Sequence, residues 1–209
     1  MLNFTKKFIF FFKKPSVVLI VGKWRFSTED AIFQVLKSNF KIRKISENIL
    51  PLARNKSEIL IFMPDLANSQ DLGNFNFLLK RSRLPILVVT AAVENQIGKL
   101  AEFLPSHGFI IVNSDSGLVR KIKNETQAHV LTYGSEEGAD FRVTDINLGE
   151  EETNFKTNYE GDIVPFWFKG LLGKEEIYNI LAAISVGVVN NLNLVEISQI
   201  LKNFELLSD

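Results

Sequence analysis

The chain has 209 residues, 46% of them hydrophobic, no cysteine and a formal net charge of zero, the make-up expected of a globular domain. Without cysteine there are no disulfides or thiolate metal sites, and with His107 and His129 as the only imidazoles a histidine metal centre is excluded as well. A neutral total and the lack of any recognition motif also argue against nucleic acid as a partner.

The neutral total hides an uneven spread, because Lys and Arg dominate residues 1–44 while residues 136–152 are rich in Glu and Asp. Residues 1–14 stand apart as a basic and aromatic segment, MLNFTKKFIFFFKK. Two readings of it stay open: a first helix packed on the domain with its lysines in solvent, or a peripheral membrane contact. No run reaches the roughly 18 apolar residues of a spanning helix, and FIFFF is too short and too aromatic for a secretory signal. The expected location is the cytoplasm, with the inner face of the membrane open through residues 1–14.

From Pro15 onward, apolar runs of strand length alternate with segments of helical period. VVLIV is followed by AIFQVLKSNF, EILIF by a polar stretch and NFNFLLKRS, ILVVT by NQIGKLAEFL, FIIVN by LVRKIKN, and then comes HVLTY. Continuous apolar strands separated by helices predict a mostly parallel sheet covered on both faces, an α/β fold. Between the first strand and first helix lies VGKWRFST, residues 21–28, the place in such a fold where a phosphate-binding loop would lie.

After Tyr133 the pattern changes. DFRVTDINL, TNFKTNYE and DIVPFWF read as short strands, with turns at Gly149-Glu150 and Gly161-Asp162, so a small antiparallel addition is expected. Two helices close the chain, EEIYNILAAISVGVVNN and one starting at Asn193, with Glu196 three residues on as in a capping box.

Four stretches together resemble the central, ATP-binding domain of the Mur ligases, most closely the branch that adds D-alanyl-D-alanine. They are FKIRKISENI, GFIIVNSDSGLVRKI, AHVLTYGSEEGADFRVTDI and LLGKEEIYNILAAISVGVVNNLNLVEISQIL. The resemblance runs from about Pro15 to Phe204 and implies a single central domain over residues 15–209, without the N- and C-terminal ligase domains.

The resemblance also implies where a nucleotide would sit. In the family loop T-G-T/S-x-G-K-T/S, glycines let backbone N–H groups wrap the phosphates, the lysine neutralises oxygens and the hydroxyl holds magnesium. Gly22 matches the first glycine and Ser27 the hydroxyl, with Thr28 beside it. Arg25 stands at the second glycine and Phe26 at the lysine. Phe62 stands at the family's magnesium glutamate with Asp65 close by, TAAVENQ lacks the family histidine, and Ile97 falls at the carbamylated lysine. LPLARNK replaces a longer substrate-binding stretch, and Glu175-Glu176 replace a His-Asn pair near the base. Asn179 matches a later asparagine, and Asn113 and Asp115 match part of L-N-A-D-D, with Ser116 at its last aspartate.

Remnant nucleotide-site positions are therefore Gly22, Ser27, Thr28, Asn113, Asp115 and Asn179, with no catalytic residue and no metal ligand assigned. Four of them have a plainer reading: Asn113 and Asp115 as the cap of a turn, Ser27 and Thr28 as helix caps. Trp24 and Phe26 either plug the former pocket or present a contact surface, and His107 and His129 read as surface or edge residues. The functional expectation is a catalytically inactive Mur-ligase-like domain, a binding or regulatory module in peptidoglycan precursor synthesis with a protein partner and no cofactor. The alternative is an ATP-dependent amide ligase, or one chain of a split ligase, using ATP and magnesium with Lys23 or Arg25 supplying the missing charge.

Overall fold

The computed structural model describes residues 4–45, 58–64, 72–90, 97–202 and 204. In chain order the elements are α1 (Phe4–Lys13), β1 (Ser16–Val21), α2 (Arg25–Leu36), β2 (Lys41–Ile45), β3 (Glu58–Phe62), α3 (Leu72–Arg81), β4 (Pro85–Val89) and α4 (Ile97–Phe103). There follow β5 (Phe109–Asn113), a 3-10 turn (Ser114–Ser116), α5 (Val119–Glu125), β6 (His129–Gly134), β7 (Phe141–Leu148), β8 (Glu152–Tyr159), β9 (Asp162–Lys169), α6 (Lys174–Val189) and α7 (Leu194–Leu201).

The strands form one nine-stranded sheet in the order β2-β3-β1-β4-β5-β6-β7-β8-β9. Every pairing from β2 to β7 is parallel, and β7-β8-β9 form an antiparallel meander. The α/β reading of the sequence holds, and the β addition joins the main sheet, because the start of β7 pairs with the end of β6 through Tyr133 and Phe141. With β7 beginning where β6 ends, the meander runs beyond the carboxyl edge of the parallel strands.

The apolar strands are buried on both faces because each face has its own helices. In β1, Val18 and Ile20 join the core under α2, α6 and α7, while Val17, Leu19 and Val21 join the core under α3, α4 and α5. Helix α6 is buried from Ile177 to Gly187, and a Cβ on Gly187 would stand 2.7 Å from Val35 Cγ1 and 2.8 Å from Ile197 Cδ1. Glycine here lets α6 approach α2 and α7 closely.

Two details differ from the sequence reading. KIRKI forms the edge strand β2, which sequence pattern leaves unassigned because its Lys and Arg look like surface; Ile42 and Ile45 pack on the core and Arg43 pairs with Glu58. The β8–β9 turn falls at Glu160-Gly161, one residue before the expected place. Both residues have positive φ (51° and 94°), the backbone of the two-residue hairpin turn that suits strand twist.

Helix α1 is held by Phe10, which is buried against Phe77 of α3 with ring centroids 5.8 Å apart. Of the two readings of residues 1–14, the packed helix is present from Phe4. Among the described residues no helix is long and apolar enough to cross a membrane.

Candidate functional site

The chain leaves β1 towards the α2 face and leaves β3, β4 and β5 towards the opposite face, and the carboxyl end of the strand at such a switch is the usual ligand position in these sheets. The loop there is short: Gly22 (φ 112°), Lys23 and Trp24 (φ 59°), with α2 beginning at Arg25. Thr90, at the end of β4, ties this loop down. Its backbone N–H donates to Val21 O at 3.0 Å, and its hydroxyl bonds the Lys23 carbonyl.

Ser27 and Thr28 are not the caps the plainer reading expects. The cap position is Trp24, in the left-handed region and without a side-chain cap bond, so both hydroxyl residues lie within the first turn. Thr28 is fully buried, with Oγ1 2.9 Å from Trp24 O and 2.9 Å from Asn179 Oδ1 of α6. Asn179 is likewise buried, so these two candidate positions meet each other across the α2–α6 contact. Phe26 is 58% exposed and Trp24 46% exposed, with Arg25 5.5 Å from the Phe26 ring centroid.

The nearby lysine of β2 is committed elsewhere. Lys44 pairs with the buried Glu29 at 3.1 Å and with Asp30, and covers the Phe33 ring at 5.0 Å. Burial raises the Glu29 pKa, and Lys44 offsets only part of that. At the matching end of β3, Phe62 is buried in the core, as is Ile97 at the start of α4. Asp65, LPLARNK and all of TAAVENQ after Thr90 lie outside the described residues.

The second half of the edge is built differently. Asn113 ends β5 and its Oδ1 accepts from the Asp115 N–H at 2.8 Å, the cap geometry of a turn, while Ser116 Oγ donates to Asn113 O at 2.6 Å. This turn presents Asp115 to four donors. Tyr178 O–H of α6 bonds Oδ2, Ser135 Oγ lies 3.2 Å from Oδ2, Ser114 Oγ donates to Oδ1 at 2.9 Å, and Lys174 Nζ stands 3.7 Å away.

Burial works to raise the Asp115 pKa, but the bonds from Tyr178, Ser114 and Ser135 and the Lys174 charge outweigh it and hold the carboxyl below its ordinary value. Tyr178 moves the other way, raised first by burial and then by its bond to Asp115. The proton therefore stays on the phenol and the charge on the carboxylate. Gly134 makes room for this cluster, since a Cβ there would meet Ser114 Oγ at 2.2 Å and Asp115 Oδ1 at 2.7 Å.

Tyr178, Ser135 and Lys174 were not singled out in the sequence. They come from α6 and the end of β6, and the available signal was the i,i+4 spacing of Lys174 and Tyr178 at the start of a helix that returns to the carboxyl edge. Glu176 of the same turn accepts from the Gly173 N–H and closes the α6 N-terminus. His107 is exposed, and His129 opens β6 with its ring stacked on Phe109 at 5.1 Å. A concavity of about 590 Å³ lies at the opposite, amino-terminal edge, lined by Lys80, Arg81, Glu102, Phe103, Glu125 and Gln127 among others.

Comparison with known proteins points one way. The family model described as the Mur ligase middle domain matches residues 89–187, a stretch that contains the Asn113 turn, Gly134 and most of α6 and starts after the Gly22 loop. The UDP-N-acetylmuramoyl-L-alanyl-D-glutamate--2,6-diaminopimelate ligase of Chlamydia pneumoniae is 38% identical over 87 residues, 42% of this chain and 18% of that protein. The UDP-N-acetylmuramate--L-alanine ligase of Alkaliphilus metalliredigens is 29% identical over 114 residues, 54% of this chain and 25% of that protein. In fold, the D-alanyl-D-alanyl-adding ligase structure from Acinetobacter baumannii superposes with a TM-score of 0.73 and 12% identity, over 97% of this chain and 48% of that one. The chain is thus related to the Mur ligases through their middle domain, and it spans under half the length of these relatives.

Proposed function

We propose that this relative of the Mur ligases is a non-catalytic domain, a binding or regulatory module of peptidoglycan precursor synthesis that acts in the cytoplasm on a protein partner. The observation that carries the reading is the state of the β1–α2 loop. Where the resemblance implies a lysine directed at phosphate, the exposed ring of Phe26 stands, and the Thr28 hydroxyl beside it is turned into the protein towards Trp24 O and Asn179. Phe62, buried, takes the place of a carboxylate. Phe26 at the lysine position, an inward Thr28 hydroxyl and Phe62 at the carboxylate position weigh against a magnesium nucleotide, which needs cationic and hydroxyl groups facing its phosphates and an acidic group on the metal side.

What remains well built is the Asp115 turn and its contact with α6, which keeps the domain's shape and a polar surface at the same edge. A fold retained with its phosphate loop altered supports use as a recognition surface. The exposed Trp24 and Phe26 supply the apolar part of it, since exposed aromatics rimmed by charge mark contact sites.

The competing reading, an ATP-dependent amide ligase or one chain of a split ligase, draws on Lys23 and Arg25 flanking the start of α2. Comparing the natural chain with the double variant R25G/F26K in ATP titration and in ATP-dependent phosphate release separates the two. The module reading expects neither saturable ATP binding nor phosphate release by the natural chain. Turnover by the natural chain that R25G/F26K abolishes would assign the phosphate contact to Arg25 and put the ligase reading first.

A further inference from the structure

We propose that α1 docks the domain on an anionic lipid bilayer, with the rings of Phe8, Phe11 and Phe12 entering the interfacial region and the neighbouring cations facing the headgroups. The helix is apolar on the wrong side for a surface helix. Phe10 alone among its described phenylalanines faces the protein, while Phe8 and Phe12, one turn apart, are 55% and 60% exposed and Phe11 lies beside them, also exposed. The outward rings form one cluster, with centroids 4.7 Å apart for Phe8–Phe12 and 5.6 Å for Phe11–Phe12.

The occupant follows from what surrounds the cluster. Lys14 lies 5.8 Å from the Phe11 ring centroid and Arg81, from the end of α3, lies 5.4 Å from it, so two cations edge the apolar patch at Phe11. Lys80 and Arg83 flank Arg81 and are exposed, and Lys7 covers Phe77 at the root of the helix. Aromatic rings edged by cations match the two layers of an anionic membrane surface, hydrocarbon below and negative headgroups above. A folded protein partner would need a matching acidic-rimmed groove, whereas a bilayer accepts this pattern without one. A single short helix gives reversible, salt-sensitive attachment, which suits a module that visits the membrane.

The test is co-sedimentation of the whole chain at low salt with vesicles of phosphatidylcholine mixed equally with phosphatidylglycerol, and with phosphatidylcholine vesicles alone. Binding to the mixed vesicles is expected, weaker by about tenfold or more on phosphatidylcholine alone, since each near-surface cation is worth about fivefold. K14Q/R81Q is expected to lose a similar factor on the mixed vesicles. F8A/F12A, which changes only exposed side chains, is expected to reduce binding by about tenfold or more while leaving the circular dichroism and melting of the protein unchanged. No binding of the natural chain to the anionic vesicles overturns the proposal, as does binding that F8A/F12A leaves intact. If the natural chain fails on vesicles but self-associates in sedimentation velocity, and F8A/F12A makes it monomeric, the face joins copies of the chain and the lipid assignment falls.

Discussion

The turn after β5 and the loop after β1 end neighbouring parts of one sheet at one edge, yet their polar groups meet different things. In the turn, Asp115 gathers Tyr178, Ser135, Ser114 and Lys174 at a carboxylate that is 20% exposed. In the loop, hydroxyls of Thr28 and Thr90 bond the loop's own carbonyls and Asn179, and the side chains that face out are Trp24 and Phe26. The turn lies inside the stretch that matches the Mur ligase middle domain, and the loop precedes it. One edge of one sheet thus holds a polar cluster closed by α6 at one place and an outward aromatic pair at another.

The largest test of this contrast is Gly134→Ala. The added Cβ would drive into Ser114 and Asp115, so the whole cluster must move; a loss of about 2–3 kcal/mol in chemical denaturation is expected, as for overpacking elsewhere. Next is Asn179→Ala, which removes the buried amide that links α6 to Thr28. A cost of about 1–2 kcal/mol is expected in the same assay, and a change near zero would mean that Thr28 and Asn179 do not hold α2 to α6.

Tyr178→Phe is expected to cost about 1.5 kcal/mol at neutral pH, the lower end for a hydrogen bond to a charged group because Asp115 is partly exposed. Its pH dependence follows from the lowered Asp115 pKa. A carboxyl depressed by folding contributes stability above the unfolded carboxylate pKa, and that contribution fades as pH falls through the folded value. The natural chain should therefore lose stability below about pH 4, and Tyr178→Phe should flatten that acid limb; parallel limbs would show that Tyr178 does not hold the carboxylate charge.

Much of the fold is legible in the sequence because it rests on repetition. SVVLIV, EILIF, PILVV and FIIVN are apolar throughout since helices cover both faces, and the meander announces itself by alternation and by Gly161. β2 is not legible because this edge strand sets just one isoleucine on each face, Ile42 and Ile45, and Lys and Arg fill its other positions. At the carboxyl edge, Asn113 reads as a turn residue from its own chemistry, but the partners of Asp115 come from residues 135, 174 and 178, which only the return of α6 brings together. The exposure of Trp24 and Phe26 is equally hidden, since it depends on how early α2 starts and on where Thr90 holds the loop.

The most direct test of the central claim is calorimetric titration of the natural chain with ATP, with and without magnesium. The account expects no saturable binding at millimolar nucleotide in either condition, because the start of α2 offers the exposed Phe26 ring and an inward-turned Thr28 hydroxyl where phosphate would sit. Saturable, magnesium-dependent binding would contradict it and return the domain to the nucleotide-using ligases.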